Sequence, residues 1–558
     1  MTREPDQQAQ DIIREQEIAS GLRGNWESVW EQIAQRILTQ YTQQFKGQNR
    51  SASMTGQQRT EEMVDATGAL ALTRFAAAME SMLTPRHSTW HTLIPDDPAL
   101  MQNRMVRFWF EDVTRLLFRY RYAPTANYAS QKHEDYLMLG AFGTGTIFTD
   151  ALQLRGQQGL RYRAVHLGQN YFMENHQGII DQNYRRFDLT ARQAVQQFGA
   201  DNLPEKIAKD GADPKRGHEV YWFIHKVAPR KPEAYDPERR DVKGMPWESI
   251  YVSVTGQQTV KESGYYTFPY SISRYVTTPG EVYGRSPAMF ALPSIKGLNE
   301  IKKTLLKQGH RITDPVLLMH DDGVLDSFSL RPGALNPGGV NADGKLLVQP
   351  LPTGNIAVGK DQALEEKQTI NDFFLVTLFQ ILVDTPQMTA TEVVERAREK
   401  GALLSPTMGR QQSESLGPQI ERELDVLQQQ RLLPPMPQRL LDAQGKYTIQ
   451  YDSPLTRMAR SEEVAGLMRT IDYFKEVISV TQDPSPLDHY DWDTIVPEVS
   501  DIQAIPVRWR KSMQEIQAVR QDRAKQAQQQ QMVDAAPAAS NVLKTLMPKP
   551  PAQPAGVA

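Results

Sequence analysis

The sequence predicts an α+β chain that is mainly helical, and three observations carry that reading. The first third repeats apolar residues at helical spacing. Residues 144–276 change to short apolar, turn-bounded runs. Two helical stretches then bracket a Gly/Pro-rich insertion in mid-chain.

In chain order, Trp26, Val29, Trp30, Ile33, Ile37 and Tyr41 share one helical face. An alanine-rich helix is expected over about 57–83, ending at Pro85. Another is expected over 103–122, with Val106, Trp109, Val113, Leu116 and Tyr120 in register, and a third over 127–139, ending in GAFGTG. The stretches TGTIFTDALQL, GLRYRAVHL and NYFMENHQGIIDQNYRRF read as strands with a turn at Gly178, and Thr190 reads as the N-cap of a short helix. HEVYWFIHKVAP, SIYVSVTG and YYTFPYSISRY read as further strands. Ser286-Pro287 is an N-cap and first-turn pair opening a helix over 284–312, which Pro315 closes. Residues 313–360 form a loop-and-strand insertion, and a second helix follows over 361–383. Thr389-Ala-Thr-Glu392 matches a capping box, so 384–388 reads as a loop and a helix runs from 389 toward 431, interrupted at Gly401, Pro406 and Pro418. A strand over 447–452, helices over 458–480 and 507–531, a Pro/Asp loop between them and a disordered Gln/Ala/Pro tail beyond about 535 complete the reading.

Composition narrows function. A chain of 558 residues exceeds one compact core, so roughly three or four lobes are expected. A net charge of −3 supplies no global field for gathering nucleic acid. The absence of cysteine excludes disulfide and thiolate chemistry and fits synthesis in a reducing cytoplasm. The polar N-terminus MTREPDQQAQD is not expected to act as a secretory signal, and the longest apolar run, 373–383, is too short to span a membrane.

Motifs for catalysis are weak. GAFGTGT lacks the strand-turn-Lys order of a phosphate loop and reads as a tight turn. HSTWH spaces His87 and His91 as zinc ligands on a helix would be spaced, but it lacks the glutamate and a third ligand, so it reads as a structural segment around Trp90. HYDWD lacks the spacing of a calcium loop. No catalytic, metal or cofactor residues are assigned. Lys302, Lys303 and Lys307 form a small basic patch, either a solvated face or a sequence-independent phosphate contact. The helix over 508–525 carries six more basic residues and reads as a solvated face.

The segments ESMLTPRHSTWHTLIP, GEVYGRSPAMFALPSIKGLNE, LRPGALNPGG, QMTATEVVERAREK and SPLTRMARSEE occur in this order. Together they resemble the portal, or head-to-tail connector, family of T7-like short-tailed bacteriophages, over roughly residues 20–530. The resemblance implies a ring of twelve copies at one capsid vertex, through which double-stranded DNA passes during packaging and ejection. It implies a wing (1–283 and 391–452), two stem helices (284–312 and 361–383), a clip (313–360), a tunnel loop (384–390), a crown (453–531) and a tail (532–558) that is disordered or barrel-like. On that mapping the DNA channel takes Asp384, Thr385, Gln387, Met388 and Thr389, the stem carries the basic patch, and the clip offers Arg331, Asn336, Asn341 and Lys345 for docking. Implied partners are the terminase large subunit, tail adaptor or nozzle proteins, major capsid and scaffolding proteins, and internal core or ejection proteins. No membrane and no cofactor are implied, and the place is the virion after assembly in the host cytoplasm. Another head-tail adaptor or assembly protein is the alternative reading, with a phage maturation enzyme behind it. The apolar flank of 370–383 is expected to be hidden between neighbouring copies.

If Thr389 fixes where the loop ends, Thr389→Ala should cost about 1 kcal/mol through loss of the cap. Packaging of DNA should suffer more than thermal stability; normal packaging by the variant removes the positioning role.

Overall fold

The computed structural model describes residues 6–42, 45, 60–86, 88–152, 156–319, 328–340, 342–352, 354–377, 406–452, 454–481, 485, 489–502, 509, 511 and 515–526. Its contacts divide the chain into two compact units. One comprises Met1–Thr92, Val113–Pro434 and Ile449–Ala459; the other comprises Leu93–Asp112, Pro435–Thr448 and Arg460–Ala558.

The first unit is built on a five-stranded antiparallel meander: Asn170–Glu174, Ile180–Thr190, Val220–Pro229, Trp247–Ser253 and Gln258–Tyr265, neighbours in space as in sequence. Side chains alternate across a strand, so adjacent residues serve different cores. Ile224 meets Ala9, Ile12 and Ala19 of the N-terminal helix Gln7–Leu22 on one face. Phe223 meets Ala194, Phe198 and Ile207 on the other. These last come from the helices Ala191–Phe198 and Glu205–Ala212. Thr190 caps the first as expected, with a complete capping box through Gln193. The strand Gln258–Tyr265 was not expected, because TVKESGY carries too few apolar residues to read as one.

A three-stranded sheet, Leu160–Ala164, Thr144–Ala151 and Tyr270–Arg274, forms a second layer. The helix Tyr128–Phe142 runs straight into it and is buried on almost every side over its last eight residues. Gly143 makes that transition at φ 79°, in the left-handed region open to glycine. A Cβ there would stand 2.1 Å from the carbonyl oxygen of Gly284. The expected tight turn in GAFGTG is therefore a contact point, where the chain after Phe142 meets the chain before Ser286.

The helix Arg104–Arg121 exists as expected, but its buried stripe is Val106, Phe110, Val113, Leu117 and Arg121. The expected stripe through Trp109, Leu116 and Tyr120 is offset by one position, because the true one ends on a buried arginine that a hydrophobicity pattern rejects. The alanine-rich helix is Thr67–Leu83. HSTWH is not helical where described: His91 opens the strand His91–Pro95 and Trp90 is buried beside it, its indole N–H donating to the Tyr122 hydroxyl at 3.2 Å. Among the described residues no group of His, Asp and Glu is arranged to hold a metal ion. No described helix is long and apolar enough to cross a membrane.

In the second unit, the helix Trp492–Ile502 occupies part of what reads as a Pro/Asp loop. Asp491 caps it by accepting from the amide of Asp493 at 3.0 Å, and Pro497 sits inside it. Arg520 of the helical stretch 515–526 pairs with Asp493, and Glu515 with Arg104 at 3.1 Å. The strand Tyr447–Tyr451 and the helix Pro454–Thr481 match their expected positions. The expected disordered tail beyond 535 lies outside the described residues.

His91 is fully buried against Trp90 and Phe118, and among the described residues neither ring nitrogen has a hydrogen-bond partner. Burial, and then the nearby Arg121 charge, hold its pKa well below the ordinary 6.5. Above that value both folded and unfolded chains carry neutral His91. Below it only the unfolded chain takes the proton, so stability falls by up to about 1.4 kcal/mol per pH unit for this group. His91→Phe should lessen the drop in urea midpoint between pH 7 and pH 5; an unchanged drop refutes the assignment.

Candidate functional site: a helix pair and the insertion it carries

Ser286 opens the helix Pro287–Thr313 with two bonds. Its hydroxyl accepts from the amide of Met289 at 3.0 Å and donates to the carbonyl of Ala141 at 2.8 Å. The cap therefore starts the helix and fixes it to the buried helix Tyr128–Phe142. Over 27 residues the helix rises about 40 Å. Its first half is packed into the unit through Ala291, Ile295 and Leu298; from Glu300 onward no residue is buried.

The partner helix is Ile356–Phe373, starting five residues earlier than expected because Asn355 caps it, accepting from the Ala357 amide at 2.8 Å. It returns antiparallel along the first. Gly359 lies on Leu305, where a Cβ would stand 2.8 Å from Leu305 Cδ2, so glycine sets the closeness of the pair. It also ends early. Leu375 adopts φ 58°, unusual for a residue with a Cβ, and its amide donates to the Asp372 carbonyl at 3.0 Å. The expected helix over 361–383 is therefore interrupted after Phe373, with Val376 and Thr377 helical again, and 378–383 lie outside the described residues.

Of the apolar flank 370–383 that was expected to be hidden between copies, the described part, 370–377, is partly packed within the chain. Ile370, Phe374 and Val376 are buried, with Phe374 edge-on to Phe75 at 6.4 Å; only Phe373 is exposed. These three side chains are covered within the same chain, while the rest of the flank, 378–383, lies outside the described residues.

Between the two helices, Leu317–Met319 pairs antiparallel with Val348–Pro350, closing the base of an insertion. Of its described residues only Leu347 is buried, while Leu318, Met319, Leu330, Leu335, Val340 and Leu346 are each at least half exposed. That concentration of exposed apolar side chains marks an interaction surface.

The basic patch divides. Lys303 is held by Glu300 at 2.9 Å and Lys307 is exposed, whereas Lys302 lines a different side, a groove of about 340 Å³ shared with Leu305, Leu306, Lys360, Ala363, Leu364 and Lys367. In the insertion, Arg331 and Lys345 are exposed. Asn336 is a clasp: its side chain accepts from the Ser329 amide at 2.8 Å and donates to the Ser329 carbonyl at 2.9 Å. Asn341 lies outside the described residues, as do Asp384, Thr385, Gln387, Met388 and Thr389 with the capping box at Thr389.

The chain reappears at Pro406 and is anchored by buried polar groups that the sequence reading missed. Residues 411–416 form a π-helical segment, and the helix Gly417–Gln429 follows with Pro418 in its first turn. The expected break at Pro418 is thus absorbed: the Gly417 amide donates five residues back, to Gln412. Glu414 pairs with Arg274 at 3.0 Å, and Ser415 accepts from Lys132 at 3.1 Å beside Asp135. Arg422 pairs with Asp425 at 2.8 Å, and Glu423 meets Arg121 at 2.5 Å with both side chains fully buried. Burial works against the Arg121 charge, but Glu423, together with the nearby Tyr162 and Tyr128, raises its pKa on balance.

A helix pair bearing an exposed, apolar insertion on a packed body is the architecture of a connecting, structural component. The family model described as bacteriophage head to tail connecting protein matches residues 9–509, and the chain belongs to that family. It is similar to the probable portal protein of Bordetella phage BPP-1, at 28% identity over 522 residues, 90% of this chain and 89% of that one. It is also similar to the portal protein of Salmonella phage epsilon15, at 28% over 500 residues, 88% and 87% of the two chains. Membership makes it a portal-type structural component of the phage particle, not an enzyme.

Replacing Glu423 by Gln should cost about 3–5 kcal/mol, because Arg121 is left buried and unpaired. The double variant Arg121→Met/Glu423→Leu should recover most of the loss in urea unfolding. Additive losses would show that the pair does not anchor the helix.

Proposed function

We propose that copies of this chain close into a ring at one capsid vertex and that DNA passes through its centre during packaging and ejection. The helices Pro287–Thr313 and Ile356–Phe373 serve as the stem, and the insertion between them serves as the clip that docks the packaging terminase and later the tail adaptor. Residues 1–283 and 391–452 form the wing, 384–390 the tunnel loop and 453–531 the crown, with 532–558 as a tail. Capsid, scaffolding and internal core or ejection proteins are the remaining partners, and assembly takes place in the host cytoplasm. Twelve is the subunit number the family resemblance favours.

The observation that carries this reading is the insertion. A hairpin held at the end of a helix pair, with its leucines turned to solvent, is unsatisfied in a single chain. Identical copies joined head to tail close into a ring when the rotation between neighbours divides a full turn. The channel needs no base-specific contacts, since phosphate contacts alone hold duplex DNA without reading its sequence.

Images of the purified full-length chain should show closed rings with an axial opening. A well-folded monomer at every concentration overturns the proposal.

A further inference from the structure

We propose that the groove lined by Lys302, Lys360 and Lys367 receives the acidic edge of the helix Ile356–Phe373 from a second copy of this chain, making a directional contact between neighbours. This inference rests on the ring proposed above.

The groove has an apolar floor and a basic rim. Leu305 and Ala363 lie deep, Leu306 and Leu364 are 51% and 59% exposed, and three lysines stand around them. Among the described residues one carboxylate pairs with this rim: Asp65 Oδ2 lies 3.7 Å from Lys367 Nζ. Three cations against one anion leave the groove positive. An open apolar floor suits a protein side chain better than a phosphate backbone, which would want cations without leucines.

The acidic edge lies on the same helix, about a third of a turn around from Lys360 and Lys367. It consists of Asp361, Glu365 and Asp372, all exposed, with Val358 beside them, itself 55% exposed. The spacing matches. Lys360 and Lys367 are seven residues apart, as are Glu365 and Asp372, so each pair spans about 10.5 Å along a helix. One side of the helix pair therefore offers a basic groove and another offers an acidic ridge of the same pitch. Because groove and ridge lie on different sides of the helix pair, they can be satisfied head to tail, each copy's ridge in its neighbour's groove, and such a contact can repeat around a ring. Helix packing places ridges into grooves, and an axial offset of five residues, about 7.5 Å, between neighbouring copies brings Glu365 and Asp372 level with Lys360 and Lys367.

The test uses the full-length chain and two charge reversals, Lys302→Glu/Lys360→Glu/Lys367→Glu and Asp361→Lys/Glu365→Lys/Asp372→Lys, alone and combined. Light scattering and particle images report the ring, and circular dichroism reports folding. Each reversal alone should lower the ring fraction at least about tenfold, because like charges then face each other. The combined chain should restore rings, with circular dichroism unchanged throughout. If the unaltered chain forms rings and both reversals do too, the contact lies elsewhere and the inference fails while the ring stands. The same holds if the combined chain stays dispersed, or if the lysine reversal keeps the ring but no longer retains double-stranded DNA. If the unaltered chain forms no ring, the ring proposal itself has failed.

Discussion

The Glu423 carboxylate places both oxygens against the guanidinium of Arg121, and water reaches neither side chain. The arginine also lies over the rings of Trp90 and Phe118, 4.6 and 4.8 Å from their centroids. A pair like this adds little net stability over a well-packed apolar pair, but it tolerates only one arrangement, because any other strands a charge in the interior. The helix Gly417–Gln429 is thereby tied to the helix Arg104–Arg121 in one register. Lys132, Asp135 and Ser415 do the same for the segment before it. Where the chain re-enters the body after residue 405 is therefore decided by electrostatics as much as by packing.

That choice suits a connector. The helix pair and its hairpin bury little of their own surface beyond Glu300. Such a part must be held firmly at its root to transmit load without bending there. The double use of Ser286, the closeness enforced by Gly359 and the clash that bars any side chain at Gly143 all lie at that root or along the pair. Small residues and hydroxyls do this work where a bulky contact would leave slack.

The sequence made the regular parts legible. Caps with a hydroxyl and a partner at fixed spacing, Thr190 and Ser286, stood where expected, since their chemistry is local. Most strands of the meander were visible from their apolar runs. What stayed hidden depends on distant residues. The buried pair Arg121 and Glu423 was not foreseen, because a charge buried by a partner roughly 300 positions away has no local signature. The stripe of Arg104–Arg121 was misplaced for the same reason. The flank after Ile370 looked available to a neighbour because nothing nearby in sequence announces Phe75. Of the candidate site, the two helices and the insertion were legible. The division of the lysine patch was not, since it turns on which side of a helix meets Lys360 and Lys367.

The wide turn at Gln411–Leu416 has a consequence for evolution of the chain. Such a turn holds one residue more than an ordinary helix of the same length, so it acts as a phase adjuster. Losing that residue would rewind 406–410 by about 100° relative to Gly417–Gln429. Arg410, whose guanidinium now donates to the Tyr275 carbonyl at 3.3 Å, would swing away from it. Insertions and deletions near this point are therefore rotations rather than changes in length, and lineages can re-aim the incoming segment without disturbing the charges that moor the rest.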